Sequence, residues 1–137
     1  EIVIKDTNYT KVYIENKGEG VYPYNPLMKP CGFTYSTIND MNKFIYELLH
    51  FKKILSKEEF KMMKEKIIEV EESFYGLGIN TTEYNGLELI YHTGDIEGIH
   101  TMLIVIPEKN FGIIFVSNYE NDDLNYFIPL EIIDILL

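Results

Sequence analysis

The alternation of apolar and polar residues changes character along the chain. Ile38, Met41, Phe44, Ile45, Leu48 and Leu49 recur every three or four residues, the spacing of one helical face. Ser36 or Thr37 can cap this helix, and Asp40, three residues after Thr37, places acidic charge in its first turn. A second helix is predicted from Ser56, where Glu59 completes a capping box. Phe60, Met63, Ile67 and Val70 continue its stripe, and Glu69, Glu71 and Glu72 read as its solvated end. From Phe74 the pattern becomes that of strands. Residues 74–82 and 87–91 flank Asn85-Gly86, a strong hairpin signal because both residues tolerate positive φ. Residues 99–106 and 111–117 flank Pro107-Glu108-Lys109-Asn110, a turn with Pro pre-set for its first corner. The runs Met102-Leu103-Ile104-Val105-Ile106 and Ile113-Ile114-Phe115-Val116 are apolar on both faces, as strands covered on both sides must be. Residues 124–137 read as a last helix, with Asp122 or Asp123 near its start and Pro129 in its first or second turn.

Residues 1–30 are less regular. Ile2-Val3-Ile4 and Lys11-Val12-Tyr13-Ile14 fit short strands, while Gly18, Gly20, Pro23, Pro26 and Pro30 break helices. Tyr22, Tyr24 and Leu27 pin the segment to a surface, so it reads as a packed irregular arm. The whole, residues 1–137, is one α+β domain: an antiparallel sheet of about four strands in a meander, with helices packed on it. Such a sheet has open edges. It is therefore expected to take further strands and helices from elsewhere, or to self-associate through its edge.

Composition narrows the partners. The chain has 137 residues, 12 Lys+Arg and 22 Asp+Glu, a net charge of −10 with no basic block. Nucleic acid and anionic lipid are poor partners for such a surface, because phosphate binding is carried by clustered Lys and Arg. Cys31 is the single cysteine, so no internal disulfide is possible. The apolar stretches at 102–107 and 127–137 fall short of the ~20 residues that span a bilayer. The chain begins at Glu1 without a signal-peptide pattern, and a processed or excised segment is the expectation.

The sharpest local constellation is Tyr91-His92-Thr93-Gly94-Asp95-Ile96-Glu97-Gly98-Ile99-His100-Thr101, between one strand and the next. His92 and Thr93 set an imidazole beside a hydroxyl, and Gly94 and Gly98 permit close backbone approach. The plain alternative is a glycine-containing loop in which His92 is merely hydrogen-bonded. Cys31 reads as a small packing residue rather than a thiol nucleophile. His50, His92 and His100 lack the spacing of a helical zinc pair, and no cofactor or metal is expected. Asn8-Tyr9-Thr10 and Asn80-Thr81-Thr82 match the glycosylation sequon, a short pattern that often occurs by chance. Phe74, Tyr75, Tyr84 and Tyr91 read as sheet packing, with Tyr91 adjoining the proposed cleft.

The order of motifs carries more than any one of them. Pro30-Cys31-Gly32-Phe33 leads to Ser36-Thr37-Ile38-Asn39-Asp40-Met41-Asn42-Lys43-Phe44, then to Tyr75-Gly76-Leu77-Gly78. His92-Thr93-Gly94 with Gly98, Pro107 with Gly112, and Ser117-Asn118 follow. This resembles the C-terminal part of the serine β-lactamase and penicillin-binding-protein-like superfamily, in its class C β-lactamase, D-aminopeptidase and esterase branch, over roughly residues 28–120.

The resemblance implies a β-lactamase/transpeptidase-like fold and acyl-transfer chemistry. In that family a Ser-x-x-Lys supplies the nucleophile, a Tyr-x-Asn or Ser-x-Asn moves protons, and a Lys/His-Thr/Ser/Gly-Gly strand borders the substrate. Here His92-Thr93-Gly94 matches the third. By resemblance His92 tunes the nucleophile's electrostatics, and Thr93 donates to substrate, often a carboxylate. The Asp95 backbone N–H supplies half of an oxyanion hole, a group worth about 2.7–4 kcal/mol in comparable enzymes. Asp95 departs from the small residue usual there, and a carboxylate beside an oxyanion is unhelpful. The other two motifs are missing. Ser36, Ser56, Ser73 and Ser117 are followed three residues later by Asn39, Glu59, Gly76 and Glu120, never by Lys. Tyr119-Glu120-Asn121 spells Tyr-x-Asn but follows the His-Thr-Gly strand, where the family places it before. The chain is therefore expected to be a C-terminal fragment of a serine hydrolase, inactive alone, acting on a small-molecule or peptide substrate in a parent of the cell envelope or extracellular space. The alternative is a free-standing, non-catalytic binding domain.

Overall fold

The computed structural model describes residues 10–14, 17–20, 26–28, 31–32, 34–119 and 121–137. The expected strand at Ile2-Val3-Ile4, most of the 1–30 arm and the Asn8 sequon lie outside them. Within the described arm, β1 (Tyr13–Ile14) and β2 (Gly18–Glu19) form a small hairpin. Val12 and Ile14 are buried, so this part of the arm is packed as expected.

Helix α1 (Ile38–His50) starts where Thr37 Oγ1 accepts from the Asp40 N–H at 3.2 Å, which selects Thr37 over Ser36 as the cap. Helix α2 (Lys57–Met63) opens on the expected capping box: the Glu59 N–H donates to Ser56 Oγ, and the Ser56 N–H to Glu59 Oε2 at 2.7 Å. The Ser56 N–H and, after it, the Ser56 hydroxyl donate to the Glu59 carboxyl and hold it below its usual range.

Among the described residues the sheet has six strands in simple antiparallel order: β3 (Ile68–Val70), β4 (Ser73–Tyr75), β5 (Asn80–Tyr84), β6 (Leu87–Ile96), β7 (Ile99–Ile106) and β8 (Phe111–Ser117). The meander is longer than the sequence pattern suggested, for two reasons. First, the stripe through Val70 is not helical to its end: α2 stops at Met63, and Ile68–Val70 pairs with β4 as an exposed edge strand. The β-branched Ile67, Ile68 and Val70 suit a strand better than a helix, and the Leu77 N–H caps the Met63 carbonyl at 2.8 Å. The glutamates read as a solvated helix end lie instead in β3 and its turn, with Glu71 at φ 53°. Second, the run 74–82 is broken by a tight turn in which the Gly76 N–H donates to the Ile79 carbonyl at 2.8 Å. A Cβ on Gly76 would come within 2.1 Å of the Met63 carbonyl oxygen, which explains the glycine in Tyr75-Gly76-Leu77-Gly78.

The strands expected to be central have helices on both faces. On one face Ile90, Leu103 and Val105 meet Ile45 and Leu48 of α1 and Phe60 of α2. On the other, Leu89, Met102, Ile104 and Ile106 meet Ile133 of α3 (Asp122–Leu136). Helix α3 is capped by Asn121, whose Oδ1 accepts from the Leu124 N–H, and it holds Pro129 in its interior rather than its first turns. Its Asp134 accepts from Tyr84 Oη at 2.7 Å and Asn85 Nδ2 at 3.0 Å, tying the β5–β6 hairpin to the helix. Among the described residues no helix is long and apolar enough to cross a membrane.

Candidate active site

The geometry of the His92 window follows from two tight hairpins. Tyr84 pairs with Leu87 across Asn85-Gly86, and Ile96 pairs with Ile99 across Glu97-Gly98. A two-residue loop closes on a hydrogen-bonded pair, and such pairs alternate along an antiparallel ladder. Counting from the first hairpin, Leu89 and Tyr91 direct their N–H and C=O groups at β5. From the second, Gly94 and His92 direct theirs at β7. Thr93 and Asp95 have the same parity as Tyr91, so their backbone groups point to the β5 side. But β5 begins at Asn80, opposite Tyr91. No described strand pairs with residues 92–96 on that side, and the Thr93 and Asp95 peptides face an open edge.

The window is thus no glycine loop. It is a continuous strand through Ile96 with a two-residue turn, and Gly94 stays extended opposite Thr101. A Cβ on Gly94 would meet Thr101 Oγ1 at 2.6 Å, so the glycine makes room for the neighbouring side chain.

Pleating divides the side chains between the two faces. His92 stands exposed on the α1–α2 side with its ring centroid 6.5 Å from that of Tyr75. Thr93, half-buried, lies on the α3 side, as do Tyr91 and Asp95. Tyr91 is the last residue of β6 with strands on both sides, and its ring packs against the α3-side core.

Asp95 is held by two further residues. Its Oδ1 lies 2.6 Å from Nδ1 of His100, and its Oδ2 accepts from Tyr126 Oη at 2.9 Å. A carboxylate only accepts, so Nδ1 of the imidazole is the donor. His100 is 7% exposed and its Nε2 is buried without a hydrogen-bond partner. The sequence pattern misses this arrangement because it ends the first strand at residue 91 and starts the next at 99, leaving Asp95 outside any register. With Glu97-Gly98 as a two-residue turn, Asp95 and His100 fall directly opposite each other; Tyr126, on α3, carries no signal of it.

The other candidates sit apart. Cys31 is exposed rather than packed as a small core residue. His50 ends α1 with its ring against Tyr46. Tyr119 meets β1 at Tyr13 beyond the end of β8, and Glu120 lies outside the described residues. A shallow groove of about 410 Å³ runs past Lys66, Phe74, Thr81 and Glu88, and none of its lining residues belongs to the window. Among the described residues no three His, Cys, Asp or Glu side chains come together to hold a metal ion.

Comparison with known proteins gives this edge its setting. The Beta-lactamase family model matches residues 5–129, from the arm through the sheet into α3. The chain belongs to the beta-lactamase family. The structure of a penicillin binding protein from Bacillus halodurans superposes with a TM-score of 0.57 at 15% identity, over 69% of this chain and 29% of that one. A D-stereospecific amidohydrolase from Streptomyces sp. gives 0.54 at 20% identity, over 66% of this chain and 30% of its own length. At these identities the two establish the fold. An unguisins hydrolase of Aspergillus campestris is 32% identical over 69 residues, 46% of this chain and 13% of that protein. The chain therefore spans less than a third of each of these relatives. As a beta-lactamase-family chain it has the antiparallel sheet, with helices on both faces, that the motif order implied.

Proposed function

We propose that this chain forms one wall of an acyl-transfer site in a serine hydrolase of the beta-lactamase family. The observation that carries the reading is the open edge of β6, where the Thr93 and Asp95 peptides have no strand partner among the described residues. Buried or substrate-facing backbone groups demand hydrogen bonds, and an extended ligand laid along this edge would satisfy them. On this reading the Asp95 N–H is one oxyanion donor, Thr93 Oγ1 donates to substrate, Tyr91 borders the substrate, and His92 acts electrostatically from the opposite face. A serine hydroxyl attacks an amide or ester carbonyl, expels the leaving group, and water resolves the acyl-enzyme. The names of the relatives point to β-lactams, D-amino-acid amides and peptides as substrate classes.

No serine of the 137 residues is followed by Lys at the third position. We therefore assign the attacking hydroxyl to polypeptide outside this sequence, in keeping with the small share of its relatives that the chain covers. The purified chain is expected to show no turnover of nitrocefin or a p-nitrophenyl ester, and no mass increase with a penicillin or fluorophosphonate probe. Activity should appear on association with a polypeptide carrying Ser-x-x-Lys and fall on Thr93→Ala. Turnover by the chain alone, abolished by His92→Ala, would overturn the assignment. The exposed strand edges are also expected to drive self-association, visible as a mass above the monomer in light scattering; a strictly monomeric chain would count against that.

A further inference from the structure

We propose that His100 and Tyr126 are positioning residues for the Asp95 peptide, and that they make an acidic side chain tolerable beside an oxyanion site. The proposal rests on the reading of the β6 edge given above. Among the described residues Asp95 lies in the half of β6 that is paired on one side, with β7, so strand pairing alone leaves its peptide weakly fixed. Its side chain supplies the missing restraint. Asp95 and His100 face each other as a non-hydrogen-bonded pair, where side chains come closest, and Oδ1 lies 2.6 Å from Nδ1. Tyr126 reaches in from α3 to the other oxygen at 2.9 Å. One carboxylate thus ties the end of the β6–β7 ladder to α3.

The direction of the clamp matters as much as its strength. The backbone N–H of Asp95 points along the sheet toward the open edge, whereas its carboxylate is turned onto the α3 face. There both oxygens are occupied by donors, so the negative charge is held away from the edge and partly spread into the imidazole and phenol hydrogen bonds. His100 adds rigidity: it is buried, and its Nε2 has no competing partner to draw the ring away from Asp95. A short residue would need no such device. Aspartate does, and these two donors provide it.

Isotope-labelled chain separates this role from general stabilisation. The imidazole ¹⁵N spectrum of His100 should show a proton on Nδ1, and Tyr126→Phe should shift the Nδ1 signal. Tyr126→Phe and Asp95→Asn are each expected to lower the ¹⁵N order parameter of the Asp95 amide. They should also speed amide exchange at Gly94 and Ile96 about tenfold, while Ile90, which is paired with both β5 and β7, is unchanged. Uniform acceleration across β6, or an unchanged Asp95 amide, would overturn the proposal. If Tyr126→Phe unfolds the chain, the Asp95→Asn comparison still decides it. In an assembled active enzyme Tyr126→Phe should lower kcat about tenfold and leave KM in place. A clamp confirmed by NMR with kcat unaffected would reject the assignment of the edge to the oxyanion, and with it the catalytic part of this proposal, leaving the clamp as structure only.

Discussion

The two halves of β6 share one extended backbone and have opposite surroundings. Over residues 87–91 the strand pairs with β5, its last two residues Ile90 and Tyr91 with β7 as well, and Leu89 and Ile90 are 2% and 1% exposed. Over residues 92–96 it keeps β7 but has outrun β5, and His92 and Asp95 are exposed. In the first half the obligatory backbone groups build the sheet. In the second, half of them are left over for something else. A strand that extends past its neighbour leaves peptide groups open for the recognition proposed above, without a special loop.

The contrast can be broken by mutation. The largest effect is expected from Ile90→Ala, which empties a fully buried site between α1, α2 and the sheet: a loss of about 2–5 kcal/mol in urea unfolding. Thr93→Ala, three residues on, should stay within about 0.5 kcal/mol. Equal losses would mean that the two halves are equally structural.

Next in size is Gly76→Ala. The turn at Gly76 fixes where β5 begins and hence where the double pairing of β6 stops. A methyl group 2.1 Å from the Met63 carbonyl oxygen must push α2 and the turn apart, at a cost of about 1–3 kcal/mol. Thermal unfolding measures it; a neutral outcome would show that the junction is not tightly packed. Ser56→Ala should lose about 0.5–2 kcal/mol by removing the cap of α2, whose Phe60 covers the paired half, and should leave amide exchange at Gly94 and Ile96 unchanged.

The smallest effect is one of pH. The Glu59 carboxyl is held below its usual range by the Ser56 N–H and hydroxyl. A carboxylate with a lowered folded pKa contributes stability that is present above its unfolded pKa and lost as pH falls through the folded value. Stability should therefore decline on the acid side of the normal glutamate range, and Glu59→Gln should flatten that part of the profile. An unchanged profile would show the capping box to be without weight in solution.

Much of this was legible in the sequence because it was local. The Thr37 and Ser56 caps, the Asn85-Gly86 hairpin and the two-faced strand at 102–106 each depend on residues within a few positions of one another. The resemblance to beta-lactamase-family sequences also rested on short motifs read in order. The errors came where local preference was overruled: Val70 fits a helical stripe but pairs with β4, and Pro129 sits inside α3 because the sheet buries that helix turn.

What the sequence determined by itself was therefore the capped starts of the helices, the turns at Asn85-Gly86 and residues 107–110, the apolar faces beside them and a family resemblance, since propensity, capping and patterning act over a turn or a hairpin. Where β5 stops along β6, and that His100 and Tyr126 converge on Asp95, was decided only by the tertiary structure. Both depend on how strands from distant positions align and how α3 lies across them, and a one-residue shift in register would turn every one of these side chains to the other face.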